Sequence, residues 1–249
     1  MSRRYALTDE QWSKLEPLLP GRKGHVGMTA KDNRLFIDAV LFRYRSGIPW
    51  RDLPERFGDF RVVHTRFSRW SKKGVWERVF KILSADADNE YAMIDSTIVR
   101  AHQHSSGGGA DEAIGRSAGG LSTKINSVVD ALGNPTPFFL TAGQASDLEG
   151  ADALIPQIKA NALLADKAYD ADERVRDVLK QKSIEPVIPF RKNRLNPPDY
   201  DKVLYKARYL IEHFFGKLKQ YRAIATRYDK RARNFLSGVY LASTLILLA

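Results

Sequence analysis

Residues 91–99 read YAMIDSTIV. Apolar and β-branched side chains surround a single acid, Asp95, and a run of that composition predicts a buried strand. Everything before it keeps a different rhythm. Residues 8–19 bring Trp12, Leu15 and Leu19 onto one helical face, with Thr8 as the cap. Residues 31–46 carry Leu35, Ile37, Val40, Leu41 and Tyr44 at helical spacing and stop at Gly47, and a turn or very short helix follows at 49–54. Asp59 is a good cap for a third helix through Trp70, and residues 75–85 predict a fourth. Along the third, Val63, Phe67 and Trp70 form the buried stripe. Arg61, Arg66, Arg69, Lys72 and Lys73 are expected to project outward, with His64 on the same helix. Several short helices, one of them strongly basic, read either as a helix-turn-helix-type module or as a plain bundle with a basic surface.

After residue 99 the strands continue. Segments 123–130 and 136–142 predict two more, joined by the turn Leu132-Gly133-Asn134-Pro135. A helix at 149–159 precedes the apolar run Ala162 to Ala165, which ends in Asp166. A charged helix at 171–182, a strand at 186–190, the basic linker RKNRLNPPD at 191–199, and helices at 203–221 and 233–248 complete the chain. Residues 105–120, SSGGGADEAIGRSAGG, predict a flexible loop. It is not a phosphate-cradling loop, because Gly109 and Gly115 are wrongly spaced and Arg116 stands where a lysine is required. The expected organisation is an all-α module over 1–88 followed by an α/β domain over 89–249, a mixed sheet flanked by helices.

The chain has 249 residues, a net charge of +11 and no cysteine, which excludes a disulfide scaffold, a Cys-ligated zinc site and thiol catalysis. No apolar signal core opens it, and its longest apolar run, 239–249, is too short to span a bilayer, so a soluble cytoplasmic protein without membrane partners is expected. The charge is unevenly placed. Residues 1–85 carry +9, residues 86–190 carry −7, and residues 191–233 carry +9. Basic blocks neutralise backbone phosphates and release counterions, so they fit a nucleic-acid partner, although ordinary solvated surface explains +11 equally well.

The acids in the middle block are the candidates for chemistry. An acid inside an apolar strand is costly unless paired, protonated or bound to a cation. Asp95 and Asp166, on neighbouring strands, would make a hard-oxygen site for Mg²⁺ or Mn²⁺; strand-end acids facing water are the plainer alternative. On the helix near 203–221, about 100° per residue puts Tyr205, Arg208, Glu212 and Lys219 on one stripe roughly 60° wide. Ile211, Phe214 and Leu218 form its buried face. Such a stripe suits a carboxylate beside phosphate-gripping cations, or simply an i,i+4 Arg–Glu pair in solvent. His102 and His104 share a face if extended but have no third nitrogen or sulfur partner. Asp147 is read as a helix cap and held as the alternative acid, while Asp130, Asp170 and Asp172 are expected to be solvated near turns.

The spacing Tyr205, Arg208, Glu212, Lys219 resembles the Y-(2)-R-(3)-E-(6)-K pattern of bacterial insertion-sequence transposases of the IS4/IS5 kind. RSGIPWRDLP (45–54), MIDSTIVRAHQH (93–104), LADKAYDAD (164–172) and the stretch 204–229 are similar to further IS5-family blocks in the same order. Ala168 and His213 depart from that pattern, where Gly and Asn are usual. The resemblance implies a DDE enzyme with an RNase H-like catalytic domain, with Asp95, Asp166 and Glu212 as catalytic and metal-binding acids. It also implies Tyr205, Arg208 and Lys219 as contacts to DNA ends. The expected activity is metal-dependent cleavage and transfer of DNA strands, with two Mg²⁺ ions per site and Mn²⁺ as a substitute. Arg61, His64, Arg66, Arg69, Lys72 and Lys73 would then bind DNA. The implied partners are terminal repeats and target DNA, held by a homodimer or larger assembly on paired ends in the bacterial nucleoid, with no small-molecule substrate. A non-catalytic DNA-binding regulator and a nuclease without strand transfer remain open as alternatives.

Overall fold

The first helix begins where Thr8 Oγ1 accepts from the Gln11 backbone N–H at 3.1 Å while Gln11 Oε1 accepts from the Thr8 N–H at 3.2 Å. The computed structural model describes residues 5–22, 24, 29–105 and 112–249; residues 106–111 of the expected loop, Gly109 among them, lie outside the described residues. Helix α1 covers Asp9–Leu15 and tightens into a 3₁₀ turn at Glu16–Leu18, because Pro17 has no N–H to continue the ladder. Helix α2 (Asn33–Ser46) is capped by Asp32 and ended by Gly47 at φ 76°. Gly47 is required twice over, since an added Cβ would also meet Arg222 Cβ at 2.8 Å. Helix α3 (Phe60–Lys72) starts at Asp59, whose carboxylate accepts from Arg61 N at 2.8 Å, and Gly74 turns the chain into α4 (Val75–Leu83).

Strand β1 (Tyr91–Ala101) follows, then β2 (Gly115–Ser117), a short strand within the expected loop, β3 (Gly120–Val129) and β4 (Pro135–Ala142). Helix α5 (Asp147–Leu154) is capped by Ser146 and gives way to a 3₁₀ turn at Ile155–Gln157, where Pro156 ends it earlier than the apolar pattern implies. Strand β5 (Ala162–Leu164), a π-turn (Asp172–Arg176) running into α6 (Asp177–Gln181), and β6 (Glu185–Val187) come next. A 3₁₀ turn at Leu204–Arg208 leads into α7 (Tyr209–Lys219); α8 (Arg222–Ala225) and α9 (Ala232–Leu247) end the chain. Among the described residues no helix is long and apolar enough to cross a membrane.

The described residues fall into two compact units. The helical unit takes residues up to 85, a short piece from 103, and 217–249, so the C-terminal segment groups with the helices. The cause is packing: α9 lies on α4, α3 and α2, and Gly238 lets it approach Tyr44, whose ring atoms would stand 2.1 Å from an added Cβ. Phe36, Phe67, Trp70 and Trp76 interlock at ring separations of 5.1–6.2 Å. A buried pair, Arg43 Nη1 to Asp229 Oδ2 at 3.1 Å, crosses that core, and the Tyr44 hydroxyl donates to the same oxygen.

In the second unit the strand order is β4-β3-β1-β5-β6, with β2 pairing the first residues of β3. β3 runs antiparallel to β1 and to β4, whereas β5 and β6 run parallel to β1. This is the mixed sheet flanked by helices, with an N-terminal all-α part, that the sequence calls for. On one face Ile94, Val128 and Leu163 pack under α5 and α6 against Leu154, Val175 and Leu179. The register then fixes the acids. Met93 pairs with Leu164 across the parallel β1–β5 ladder. Asp95 and Asp166 each stand two residues beyond that pair, Asp95 within β1 and Asp166 just past the carboxyl end of β5.

The turn at 130–134 corrects one expectation. Asp130 is buried, accepting from the Asp88, Leu132 and Asn134 N–H groups at 3.2, 3.0 and 2.8 Å. Asp170 is likewise buried rather than solvated, because the basic linker folds back on it: Arg191 N, Arg176 Nε and Arg194 Nη1 donate at 2.8–2.9 Å. Burial alone would raise that carboxyl; these donors hold it below the ordinary carboxylate value. Asp172 does stay exposed, paired with Arg194.

Candidate active site

The site is built from the second unit alone. Asp95 is partly buried on β1; its Oδ1 accepts from Ser96 N at 2.7 Å and its Oδ2 from Arg208 Nη1 at 2.6 Å. Asp166 caps the 3₁₀ turn Lys167–Tyr169 through Ala168 N at 2.7 Å. Ala168 needs no left-handed backbone there, so the glycine usual at that position is dispensable. Glu212, in the first turn of α7, accepts from Arg208 Nη2 at 2.5 Å. One guanidinium therefore joins Asp95 to Glu212.

That contact depends on a local departure from the helix the spacing predicts. Residues 204–208 are 3₁₀, so Tyr205 and Arg208 do not lie on the same wheel as Glu212 and Lys219. Arg208 still reaches Glu212 at i,i+4, and its side chain also hydrogen-bonds Tyr205. Burial alone would weaken the Arg208 charge, but Asp95, Tyr205 and Glu212 hold it above its usual value. Burial likewise pushes the Asp95 carboxyl up; Ser96 N–H and Arg208 oppose it, and neighbouring Asp166 reinforces it.

Three further groups stand near these acids: Asp147, held as the alternative acid, and Lys124 and Tyr169, which the sequence reading did not single out. Asp147 is not the cap of α5, which is Ser146. Its Oδ1 instead accepts from Ser96 Oγ at 2.6 Å and from Lys124 Nζ at 2.8 Å. Lys124 is almost fully buried, and its Nζ also donates to Ala145 O at 2.7 Å. Tyr169 is buried with no hydrogen-bond partner on its hydroxyl. Burial, then Asp95, Asp147 and Asp166, push its phenol well above the ordinary value. The signal that could have found Lys124 was its parity: it alternates with Asn126 and Val128 onto the α5 face, where a lysine needs an acid.

Among the described residues no three His, Asp or Glu side chains stand close enough together to share a metal ion. Arg208 supplies the positive charge between Asp95 and Glu212 instead. The donor set itself fits a hard divalent cation: carboxylate oxygens from a strand, a strand end and a helix, one of them desolvated and beside a second acid.

Residues 88–247 match the family model described as "Transposase DDE domain". The chain belongs to the DDE transposases. Residues 7–80 match a second model, "Putative transposase of IS4/5 family". The transposase is 51% identical over 102 residues to the uncharacterized protein y4sN of Sinorhizobium fredii, covering 41% of this chain and 81% of that one. It is 37% identical over 127 residues to a "Putative transposase for insertion sequence element IS6501" of Brucella ovis, covering 51% and 98%. A crystal structure of a pre-cleavage Mos1 transpososome covers 90% of this chain and 81% of that one at 11% identity, with a TM-score of 0.30, a likeness too slight to argue from. DDE transposase domains as a class use divalent metal ions.

The expected DNA-contact residues of the transposase fall into two groups. Arg61, Arg69, Lys72 and Lys73 are exposed on or just after α3. Arg66 is not: its guanidinium stacks on Phe36 and Trp70 at 4.2 and 4.8 Å and donates to Asn33 Oδ1. It sits one helical turn from Val63 and Trp70, close enough to the stripe to be drawn into it. His64 is half-buried against Trp50 at 5.2 Å and Ser68, and burial lowers its pKa. Lys219 is exposed in the last turn of α7, within the helical unit, and partial burial of its stem lowers its pKa. His104 also belongs to the helical unit, where it borders a cavity with His64.

Proposed function

We propose that this transposase cuts the ends of an insertion sequence and joins them to target DNA, with Asp95, Asp166 and Glu212 as the catalytic acids. The observation that supports the reading is the parallel β1–β5 pairing, with Asp95 and Asp166 each two residues beyond the Met93–Leu164 pair, together with Arg208 linking Asp95 to Glu212. Two Mg²⁺ ions, replaceable by Mn²⁺, would be held by these three carboxylates and would supply activation of the attacking oxygen and stabilisation of the leaving one. The protein's own groups do the rest. Asp95 and Asp166 hold a fixed negative site at the end of the sheet. Arg208 and Tyr205 release the carboxylates and turn to the phosphates of the bound strand, since a guanidinium pairs equally well with either anion. An in-line displacement then needs no covalent enzyme intermediate.

Residues 1–88 form the recognition module and 89–249 the catalytic domain in this reading. Arg61, Arg69, Lys72 and Lys73 grip backbone phosphates of the terminal repeats, His64 and Arg66 support that helix from within, and Lys219 contacts the DNA end. Two or more copies act on paired ends, in the cytoplasm on nucleoid DNA. The test is incubation with supercoiled plasmid carrying the element's ends, in Mg²⁺ or EDTA. Nicked and joined products are expected from wild type in Mg²⁺ only, and none from Asp95→Asn or Asp166→Asn. Identical products from wild type and either variant overturn the assignment, and DNA binding without any products leaves a regulator. Nicking without joining leaves a nuclease.

A further inference from the structure

The motif RSGIPWRDLP is not used by the acidic site, yet its Trp50 borders a hollow of the helical unit. A cavity of about 560 Å³ lies there, lined in part by Arg43, Trp50, His64, Lys230, Arg233 and Asn234. Its volume is in the range of small-ligand sites, roughly 300–1,000 Å³. Three buried polar atoms of its lining residues have no hydrogen-bond partner: Arg43 Nε, Trp50 Nε1 and Asn234 Oδ1. Buried polar groups are nearly always paired, and each orphan costs about 1–3 kcal/mol, so two unpaired donors and an unpaired acceptor among the residues that line one hollow require an explanation.

The charge around the hollow is equally lopsided. Arg43, Lys230, Arg231 and Arg233 face a single acid, Asp229, which already accepts from both Arg43 and the Tyr44 hydroxyl at 3.1 Å. The aromatic wall is rigid: the Trp50 ring is held against Phe67 at 5.4 Å and His64 at 5.2 Å. Asn234 is fixed by its Nδ2 donating to Ser68 Oγ at 3.1 Å, and its buried oxygen has no partner. Burial lowers the His64 pKa against the opposing charge of Asp229, with Arg43 assisting, and a neutral imidazole accepts as well as donates.

We propose that this cavity is a nucleotide site, taking a heterocyclic base against Trp50, His64 and Asn234 and a phosphate against Arg43, Lys230 and Arg233. A bare phosphate would use only the cations, and an apolar ligand would use neither set; a nucleotide uses both. The same chemistry is offered by a free nucleoside monophosphate and by an unpaired nucleotide of a DNA strand. The inference is independent of the catalytic assignment, because no residue of the acidic site takes part.

The test uses the full chain and calorimetric titration with the four deoxynucleoside 5′-monophosphates, with inorganic phosphate as the comparison. One-to-one nucleotide binding is expected, with phosphate at least about tenfold weaker, the factor one good hydrogen bond supplies. The double variant Lys230→Ala/Arg233→Ala, on exposed side chains, should weaken both ligands. Trp50→Phe should weaken nucleotide by about tenfold and leave phosphate unchanged. Asp152→Ala, on an exposed pair elsewhere, should change neither. Competition by a 5′-phosphorylated single strand assigns the site to DNA; nucleotide binding without that competition assigns it to the free nucleotide. No nucleotide binding, phosphate binding as tightly as nucleotide, or indifference to both site variants with melting unchanged overturns the proposal.

Discussion

Arg208 offers the sharpest test of how the acidic site is balanced. Its guanidinium contacts Asp95 at 2.6 Å and Glu212 at 2.5 Å, so under the proposed function it stands where the divalent cation would bind. Arg208→Ala removes one positive charge from among three carboxylates. A unit charge pair about 4 Å apart is worth roughly 1 kcal/mol in water and roughly 4 kcal/mol at an effective dielectric of 20. The Arg208 and Asp95 side chains are 18% and 19% exposed, which places the site between those limits. A divalent ion feels twice that repulsion, and salt screens part of it. A gain of about 1.5–3 kcal/mol follows, or roughly 10- to 100-fold tighter binding.

The measurement is Mn²⁺ binding by calorimetry at fixed ionic strength, for wild type, Arg208→Lys and Arg208→Ala. Arg208 is one of the groups that keep Asp95 from rising further, so its loss lets protons compete more strongly with metal. Titration at about pH 8, well above any carboxyl, removes that competition. The expected order of affinity is Ala above Lys above wild type, with strand cleavage moving the other way because the phosphate contact is lost. Unchanged or weaker Mn²⁺ binding by the alanine variant refutes the view that Arg208 and the cation exclude one another.

Three further outcomes are expected. Asp147→Ala leaves the Lys124 ammonium buried without its acid, a loss of about 3–5 kcal/mol readable in thermal or urea unfolding; Lys124→Met in the same background should restore most of it. Gly238→Ala drives a methyl into the Tyr44 ring, costing about 1–3 kcal/mol by the same measurement, and Tyr44→Ala should relieve the clash. Asp170 has a lowered folded-state pKa, so its contribution is complete above the unfolded value of about 3.9 and is lost as pH falls through the folded value. The stability difference between wild type and Asp170→Asn, measured by urea unfolding, should therefore shrink as pH drops below about 4.

The sequence was most legible where one rule acted alone. YAMIDSTIV at 91–99 is a strand in the structure because nothing competes with burial there, and Thr8 and Asp59 cap helices because their side chains reach the open N–H groups. It was least legible where distant groups compete. Arg66 looks solvent-facing on a wheel, yet Phe36 and Trp70 draw it under. Asp130 and Asp170 look like loop acids, yet each organises backbone donors that only the fold assembles. Pro156 and Pro17 shorten helices whose apolar pattern runs on past them.

The acidic site shows both regimes at once. Asp95 and Asp166 are visible as lone acids in apolar strands, and a parallel pairing with Met93 opposite Leu164 sets each of them two residues beyond that pair. Arg208 and Glu212 are visible as an i,i+4 pair, but the 3₁₀ turn that aims Arg208 at β1 leaves no mark in hydrophobic spacing. Asp147 is hidden for a different reason: its position at a helix start has a sufficient local explanation, and only Lys124 from another strand reveals the second use. A buried ammonium costs several kcal/mol to desolvate, and Asp147 and Ala145 O offset that cost for Lys124. The same reasoning holds for Arg208. A cation placed among acids marks where negative charge has been concentrated beyond what the fold alone requires.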